Sequence, residues 1–400
     1  MGSIAQRWKV LSGENNWEGL LDPLDIDLRH YIIHYGDRIQ AVVDSFIEDK
    51  GSNNIGLSRY IKRHLFPKVG LVIGNPFDYI VNKYLYASTK NVRPPLDPDL
   101  PKTLAGYSNW IGYVAVSSDA GTMALGRRDI LISLRGTMKQ EEWYIDLLSG
   151  LVSASDILGM ENDPKLHNGW YTYYTTADPE STFNTASLRD QVLGAVRELV
   201  DEYKDKEVSI TVIGHSMGGA FSSMIATDIV YNGYNKTIDH PNKAYQVTAF
   251  MFAGPAVGDE GYKSVFSRLE NLHALQVRNL NDIVPNILTP LLGYVHVGQK
   301  LVFDSLESPY LKQNPIETLH DLQVYLHGIA GTQGLDGGFR LEVKRDIALV
   351  NKRIDGLKDE YHVTPQWWCV NNKGMVQLDD GYWVMILDRE IDDDKAACTS

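Results

Sequence analysis

The sequence predicts an α/β protein with a central, mostly parallel sheet flanked by helices. Two observations carry that expectation. One is the stretch Val208 to Asp228, where the β-branched apolar run Val208 to Ile213 turns through Gly214-His215-Ser216-Met217-Gly218. Small and apolar residues then continue with no breaker before Asn232. The other is a rhythm: apolar strand signals at Gln246 to Phe252 and Ala274 to Val277 each follow a helical stretch, as the crossovers of a parallel sheet require.

From the start of the chain, Leu28, Tyr31, Ile32, Tyr35, Ile39, Val42, Val43 and Phe46 recur at helical spacing, so Asp25 to Asp49 reads as an amphipathic helix. Pro94, Pro95, Pro98 and Pro101 make an extended connector. Strand signals at Ile111 to Val116 and Asp129 to Leu134 flank an expected turn at Asp119-Ala120-Gly121, which makes the two antiparallel neighbours. Met138 to Ile157 then mixes acids with large apolar residues. Asn184 to Lys206 is a helix, opened by the capping box Ser187-Leu188-Arg189-Asp190 and carrying Val192, Val196, Leu199, Val200 and Tyr203 on one face. Another helix is expected over Asp346 to Tyr361, followed by Trp367-Trp368 and a terminal hairpin within Lys373 to Leu387. No internal repeat and no low-complexity tract interrupts this order. The division it suggests is an N-terminal helical segment over 1–105, a core over 106–335, and a C-terminal helix and hairpin with a disordered tail over 336–400.

A chain of 400 residues, 44% hydrophobic and 22% charged, can bury a sizeable core. Its net charge of −13 argues against nucleic acid and against adsorption to anionic bilayers by charge. Contact with lipid would have to come from apolar surface. Two cysteines, Cys369 and Cys398, make no disulfide framework and fit a reducing compartment. MGSIAQRWKVLSG has no apolar signal core, and no apolar run reaches membrane-spanning length, so the sequence reads as cytoplasmic. No His/Cys cluster has metal-ligand spacing and no Gly-rich loop cradles phosphate. No metal, cofactor or stable protein partner is expected.

Strand, Gly-x-Ser-x-Gly, helix is the arrangement of a nucleophile elbow. The turn lifts the Ser216 hydroxyl clear of the backbone and aims a helix N-terminus at it, where a developing anion is favoured. A serine hydroxyl needs a base, and that base an orienting acid. With an elbow these follow in chain order, acid and then histidine. Asp282, just beyond the strand that ends at Val277, suits the acid, with Asp259 and Asp304 as rivals. The base must come from His296, His320, His327 or His362. His320 and His327 are seven apart and would face the same way on one helix, so spacing alone does not choose. Thr318-x-x-Asp321 reads as a helix start, which leaves His320 on the loop before it and favours it over His327 in the last turn before Gly328. For the oxyanion, the Met217 N–H is one donor, and Thr137 in Arg135-Gly136-Thr137 is placed to be the other.

The segments TLAGYSNWIGYVAVS, RGT, LHNGWY, SLRDQVLGAVRELV, EVSITVIGHSMGG, HALQVRNLNDIVPN, HDLQVYLHGIAGTQG and NKGMVQLDDGYWV, together nearly spanning the chain, resemble plant class II phospholipase A1, a branch of the fungal-type (class 3) lipases. The resemblance implies an α/β-hydrolase fold and a serine acylhydrolase that cleaves the sn-1 acyl ester of a glycerolipid through an acyl-enzyme. It implies Ser216 as nucleophile, Asp282 as orienting acid, His320 as base, and a mobile lid over about 138–151. In that lid Trp143, Tyr144, Leu147 and Leu148 are the candidate lipid-facing side chains, Trp143 and Leu147 being four apart on one helix face. The partner implied is a lipid or ester substrate met transiently at a membrane or lipid-aggregate surface. The chain departs from the family pattern at Met217 and Leu134, where Leu and an aromatic are usual, and lacks an Arg before Val257-Gly258. Two alternatives stand beside this reading: an esterase or acyltransferase acting on small specialised metabolites, and a non-catalytic scaffold.

Overall fold

A computed structural model describes residues 3–49, 51–90, 108–138, 142, 150–239, 242–288, 290–313, 316–368, 376–377, 379–384 and 389–391. Its centre is a seven-stranded sheet. Strands β1 Tyr79–Ser88, β2 Ser108–Ser117, β3 Arg128–Leu134, β4 Val208–His215, β5 Gln246–Phe252, β6 Leu272–Asn279 and β7 Gln299–Phe303 lie side by side in chain order. β1, β2 and β3 are antiparallel, in register through Tyr84↔Tyr113 and Val114↔Ile132. From β3 to β7 every pair is parallel. The loops that leave β3, β4, β5 and β6 therefore emerge along one edge of the sheet, and that edge assembles the site.

The sheet is the middle of three layers. Side chains alternate across a strand, so Ile130, Ile132 and Leu134 of β3 enter one core while Leu131 enters the other. The first core is closed by helices α4 Leu188–Glu202, α5 Met217–Tyr231 and α6 Glu260–Ser267. The second is closed by α1 Ile4–Leu11, α2 Ile26–Ser45 and α7 Leu322–Gly331. α2 starts where Asp25 accepts the N–H groups of Asp27 and Leu28. It stops four residues short of the expected Asp49, because Phe46 turns extended and bridges to Ser58. α4 starts as its capping box predicts, with the Ser187 side chain accepting from the Asp190 N–H.

Several expectations need correction. Residues 1–105 are not helical throughout, since β1 belongs to them and forms an edge of the sheet. Asp119-Ala120-Gly121 does not turn but opens helix α3 Asp119–Leu125, capped by Ser118 and ended by Gly126 at φ 78°. The helix expected over Asp346 to Tyr361 is two 3-10 turns, Ile347–Lys352 and Asp359–Tyr361. The Asn351 side chain accepts the N–H groups of Gly356 and Leu357 at 2.9 and 2.8 Å, folding the chain back where a helix would continue. The terminal hairpin survives as the paired residues Val376↔Val384 and Gln377↔Trp383.

Candidate active site

The elbow is built by backbone contacts at close range. Ser216 stands between β4 and α5 at φ 57°, ψ −125°, a conformation that costs a non-glycine residue about 1–3 kcal/mol. It is held there by bonds at both ends of its peptide: its N–H donates to Phe252 O of β5 at 2.9 Å, and its carbonyl accepts from the Gly219 N–H at 2.8 Å. A Cβ on Gly214 would lie 2.0 Å from Gly218 O, and one on Gly218 would lie 2.5 Å from Leu134 O. Only glycine lets strand, turn and helix pack this closely.

The loop after β3 lies against the elbow, with space for a Gly136 Cβ only 3.0 Å from Ser216 Cβ. Next along, the Thr137 hydroxyl points at Met217 Sδ, 3.8 Å away, a weak acceptor. Sequence reasoning missed what anchors this loop. The Arg135 guanidinium meets Glu142 in two bonds, of 2.8 and 2.6 Å, and both side chains are fully buried. Arg135 also donates to Trp110 O and Gly136 O, while Glu142 accepts from the Met138 N–H and Tyr173. Burial alone would lower the Arg135 pKa, but Glu142 more than offsets it, and the guanidinium stays charged. The loop bearing Thr137 is thus tied down on both sides by one buried ion pair. An arginine directly after the strand, with two acids six and seven residues on, was the available signal.

Asp282, five residues past the expected strand end at Val277 and beyond the observed end of β6 at Asn279, is 1% exposed. Its Oδ2 accepts from His320 Nδ1 at 2.7 Å and from the Tyr325 hydroxyl at 2.6 Å, and its Oδ1 from the Val284 N–H at 3.0 Å. Burial pushes this carboxyl up, but the hydrogen bonds of His320, Tyr325 and Val284 and the His320 charge outweigh it and hold the carboxyl below its ordinary range. His320 itself sits just before Asp321, the N-cap of α7, with its side chain 22% exposed. Its backbone carbonyl accepts Nε2–H of His215 at 2.8 Å, and the two rings lie 4.7 Å apart. His215 immediately precedes Ser216, so this bond draws the histidine loop onto the elbow. Burial, then repulsion from His320, takes the His215 pKa down to about 3, so it stays neutral. Among the described residues no hydrogen bond joins Ser216 Oγ to the imidazole. Such a bond is often long before substrate arrives.

The rival residues have other work. Asp259 caps α6 by accepting the Tyr262 N–H, and Asp304 caps a 3-10 turn through the Leu306 N–H. His327 is 2% exposed, bonded to Ser308 Oγ at 2.8 Å and stacked on Phe339. α7 runs past it to Gly331, so it lies inside the helix and not in a last turn before Gly328. His296 lies against the Arg278 guanidinium, and His362 is exposed at the end of a 3-10 turn. Trp143, Tyr144, Leu147 and Leu148 lie outside the described residues. Tyr325 and His215 had no role in the sequence reading, because nothing local marks a tyrosine as the second donor to a distant carboxylate.

A cavity of about 410 Å³ opens elsewhere, lined by α2, residues 69–77 and 343–352. It contains none of these side chains, and its Asp37–Arg345 and Asp44–Lys352 charges are already paired. Among the described residues no group of three or more His, Cys, Asp or Glu could hold a metal ion, and no helix is long and apolar enough to cross a membrane.

Residues 131–291 match the family model described as lipase (class 3). The chain is 47% identical over 400 residues to phospholipase A1-IIgamma of Arabidopsis thaliana, covering 98% of this chain and 95% of that protein. It is 44% identical to phospholipase A1-II 1 of Oryza sativa subsp. indica, covering 98% of each. Against the native Rhizomucor miehei lipase propeptide complex the identity is 16% with a TM-score of 0.43, covering 79% of this chain and 82% of that one, a likeness too slight to carry any argument about the site.

Proposed function

The chain belongs to the plant phospholipase A1-II family of carboxylic ester hydrolases, and on that premise we propose that Ser216, His320 and Asp282 cleave the sn-1 acyl ester of glycerolipids. Ser216 Oγ gives its proton to His320 Nε2 as it attacks the acyl carbonyl. Asp282, bonded to Nδ1, fixes the tautomer and stabilises the imidazolium. The oxyanion is received by the Met217 N–H, in the first turn of α5 and without an acceptor among the described residues, and by Thr137. His320 then protonates the departing lysolipid alkoxide, and the acyl-enzyme forms. Water, deprotonated by the same imidazole, releases the fatty acid and restores Ser216.

The observation that carries this reading is the 2.7 Å His320–Asp282 bond, drawn by His215 against the strained elbow. Hydrolysis of a long-chain phosphatidylcholine tests it. Ser216→Ala and His320→Ala should each lose about 10⁴-fold or more in kcat, and His327→Ala far less. Equal turnover in Ser216→Ala and wild type would end the proposal; a larger loss at His327 than at His320 would reassign the base.

The segment around Trp143, Tyr144, Leu147 and Leu148 is proposed as a lid. Support comes from its neighbour Glu142, whose bond to Arg135 joins the root of the segment to the loop holding Thr137. Replacing Trp143 and Leu147 by Ser should lower activity on aggregated lipid and spare a dissolved short-chain ester; an equal loss on both would mean a structural segment. The low cysteine count supports a cytoplasmic location, which cell fractionation can check.

A further inference from the structure

The segment that follows β6 carries more than Asp282. From Leu280 to Gly298 it holds one carboxylate, Asp282 itself, no Lys or Arg, and one histidine, His296, whose pKa burial and then Arg278 take down to about 3, in a chain whose residues are 22% charged. That one carboxyl is buried against His320 and Tyr325. The interval thus presents no formal charge to solvent. Nor is it apolar because it is buried. Pro285, Leu288, Tyr294 and Val297 turn inward as anchors. Between them Leu280, Ile283, Ile287, Leu291 and Leu292 stand 53, 52, 56, 97 and 55% exposed. Short 3-10 turns at Val284–Asn286 and Pro290–Leu292 produce this alternation.

Position decides what such a surface meets. β4 and β6 run in the same direction, so this segment leaves the sheet at the edge where Ser216 stands. Asp282 lies at its near end. Near its far end Gly293 packs so closely on Leu151 that a Cβ there would come within 3.2 Å of Leu151 Cδ1. Leu151 closes the proposed lid segment. Leu280 flanks the orienting acid, and Ile283, Ile287, Leu291 and Leu292 therefore occupy the stretch between that acid and the far root of the lid. Their chemistry suits acyl chains better than a protein, because protein interfaces favour aromatic and Arg anchors and none is among them.

We propose that Leu280, Ile283, Ile287, Leu291 and Leu292 dock the protein on a zwitterionic lipid surface, with the Ser216 site facing the bilayer. The proposal rests on the hydrolase reading of that site. A chain of net charge −13 gains nothing from anionic headgroups, so the binding is apolar and tolerates salt.

Ser216→Ala protein, which would leave vesicles intact, gives a direct test by co-sedimentation with phosphatidylcholine vesicles. Adding Ile287→Ser, Leu291→Ser and Leu292→Ser should lower the vesicle-bound fraction about tenfold or more, and raised salt should not weaken the parent's binding. With Ser216 restored, the triple variant should melt like wild type and turn over a dissolved short-chain ester within about twofold of it. Unchanged vesicle binding overturns the proposal, as does binding that salt abolishes. A wild-type dimer that the triple variant converts to monomer also overturns it, by assigning the surface to a second copy. If the triple variant melts early, Leu291→Ser alone, at the most exposed position, is read by the same criteria. Vesicle binding that depends on these residues, in a protein whose Ser216 form hydrolyses no ester, would support docking while sinking the hydrolase reading.

Discussion

At their N-terminal ends β3 and β4 hold Asp129, Ser209 and Thr211; at their C-terminal ends they lead into Arg135-Gly136-Thr137 and Ser216. The same two strands thus carry two polar clusters made of similar residue types. In the first, Asp129 Oδ1 accepts from the Ser209 and Thr211 hydroxyls, both at 2.7 Å, and Oδ2 from Tyr35 and Tyr79 at 3.0 and 2.6 Å. Arg127 stands 3.4 Å away, and neither member of the pair has any exposed side chain. Burial, then the Asp129 charge, raises the Tyr35 and Tyr79 pKa values well above normal, so their hydroxyls stay protonated. Every hydroxyl there is committed to one carboxylate. In the second cluster Asp282 is equally buried, but one of its donors is the imidazole of His320, whose side chain is partly exposed. The difference teaches that a buried carboxylate among hydroxyls is a structural rivet until one of its donors can pass a proton outward.

Matched substitutions sharpen that contrast. Asp282→Asn should cost about 10³–10⁴-fold in kcat with little change in unfolding free energy, since it disturbs the tautomer and not the fold. Asp129→Asn should do the reverse, costing about 3–5 kcal/mol in denaturant unfolding by leaving buried Arg127 uncompensated, with kcat of the folded fraction nearly intact. If both substitutions acted mainly on stability, the two clusters would be alike and the contrast would fail.

A smaller effect is expected one atom further out. Tyr325→Phe removes one donor from Asp282 and should lower kcat about tenfold with KM steady, about 1.4 kcal/mol of transition-state stabilisation. Tyr79→Phe removes the corresponding donor from Asp129 and should cost about 1–3 kcal/mol of stability and no turnover. A Tyr325→Phe enzyme with full kcat would reduce that hydroxyl to packing.

The smallest effect separates the two histidines of the α7 region. Burial, then Arg345, lowers the His327 pKa to about 4, below its ordinary value near 6.5. The unfolded chain therefore takes up this proton first, and the stability tied to neutral His327 is complete above about pH 6.5 and lost as pH falls toward 4. His327→Gln should flatten the unfolding free energy across that window while leaving the pH profile of kcat in place. A profile that moved with His327 would put it in the proton path.

Much of this was legible beforehand. The Gly-x-Ser-x-Gly turn, the helix caps at Asp25 and Ser187, and the rhythm of the parallel strands are local, set by Cβ crowding and backbone bonds among near neighbours. The errors were local too. Gly121 opens a helix because Ser118 caps it, and the pattern over Asp346 to Tyr361 gave way where the Asn351 side chain took over backbone donors. β1 and β7 went unread because each lies at an edge, paired on one side only, with half-exposed residues blurring its apolar pattern.

The sequence by itself determined where Ser216 stands, because a strained serine between strand and helix is dictated by glycines two residues to either side. It also restricted the acid and the base to a few residues in a fixed chain order. Tertiary structure decided which of them meet: His320 and Asp282 are 38 positions apart and bond because parallel strands deliver both loops to one edge. It alone decided that Tyr325 backs Asp282, that His215 draws in the histidine loop, and that Arg135 closes on Glu142. Each of those contacts depends on where distant segments are brought together, and neither propensity nor periodicity encodes that distance.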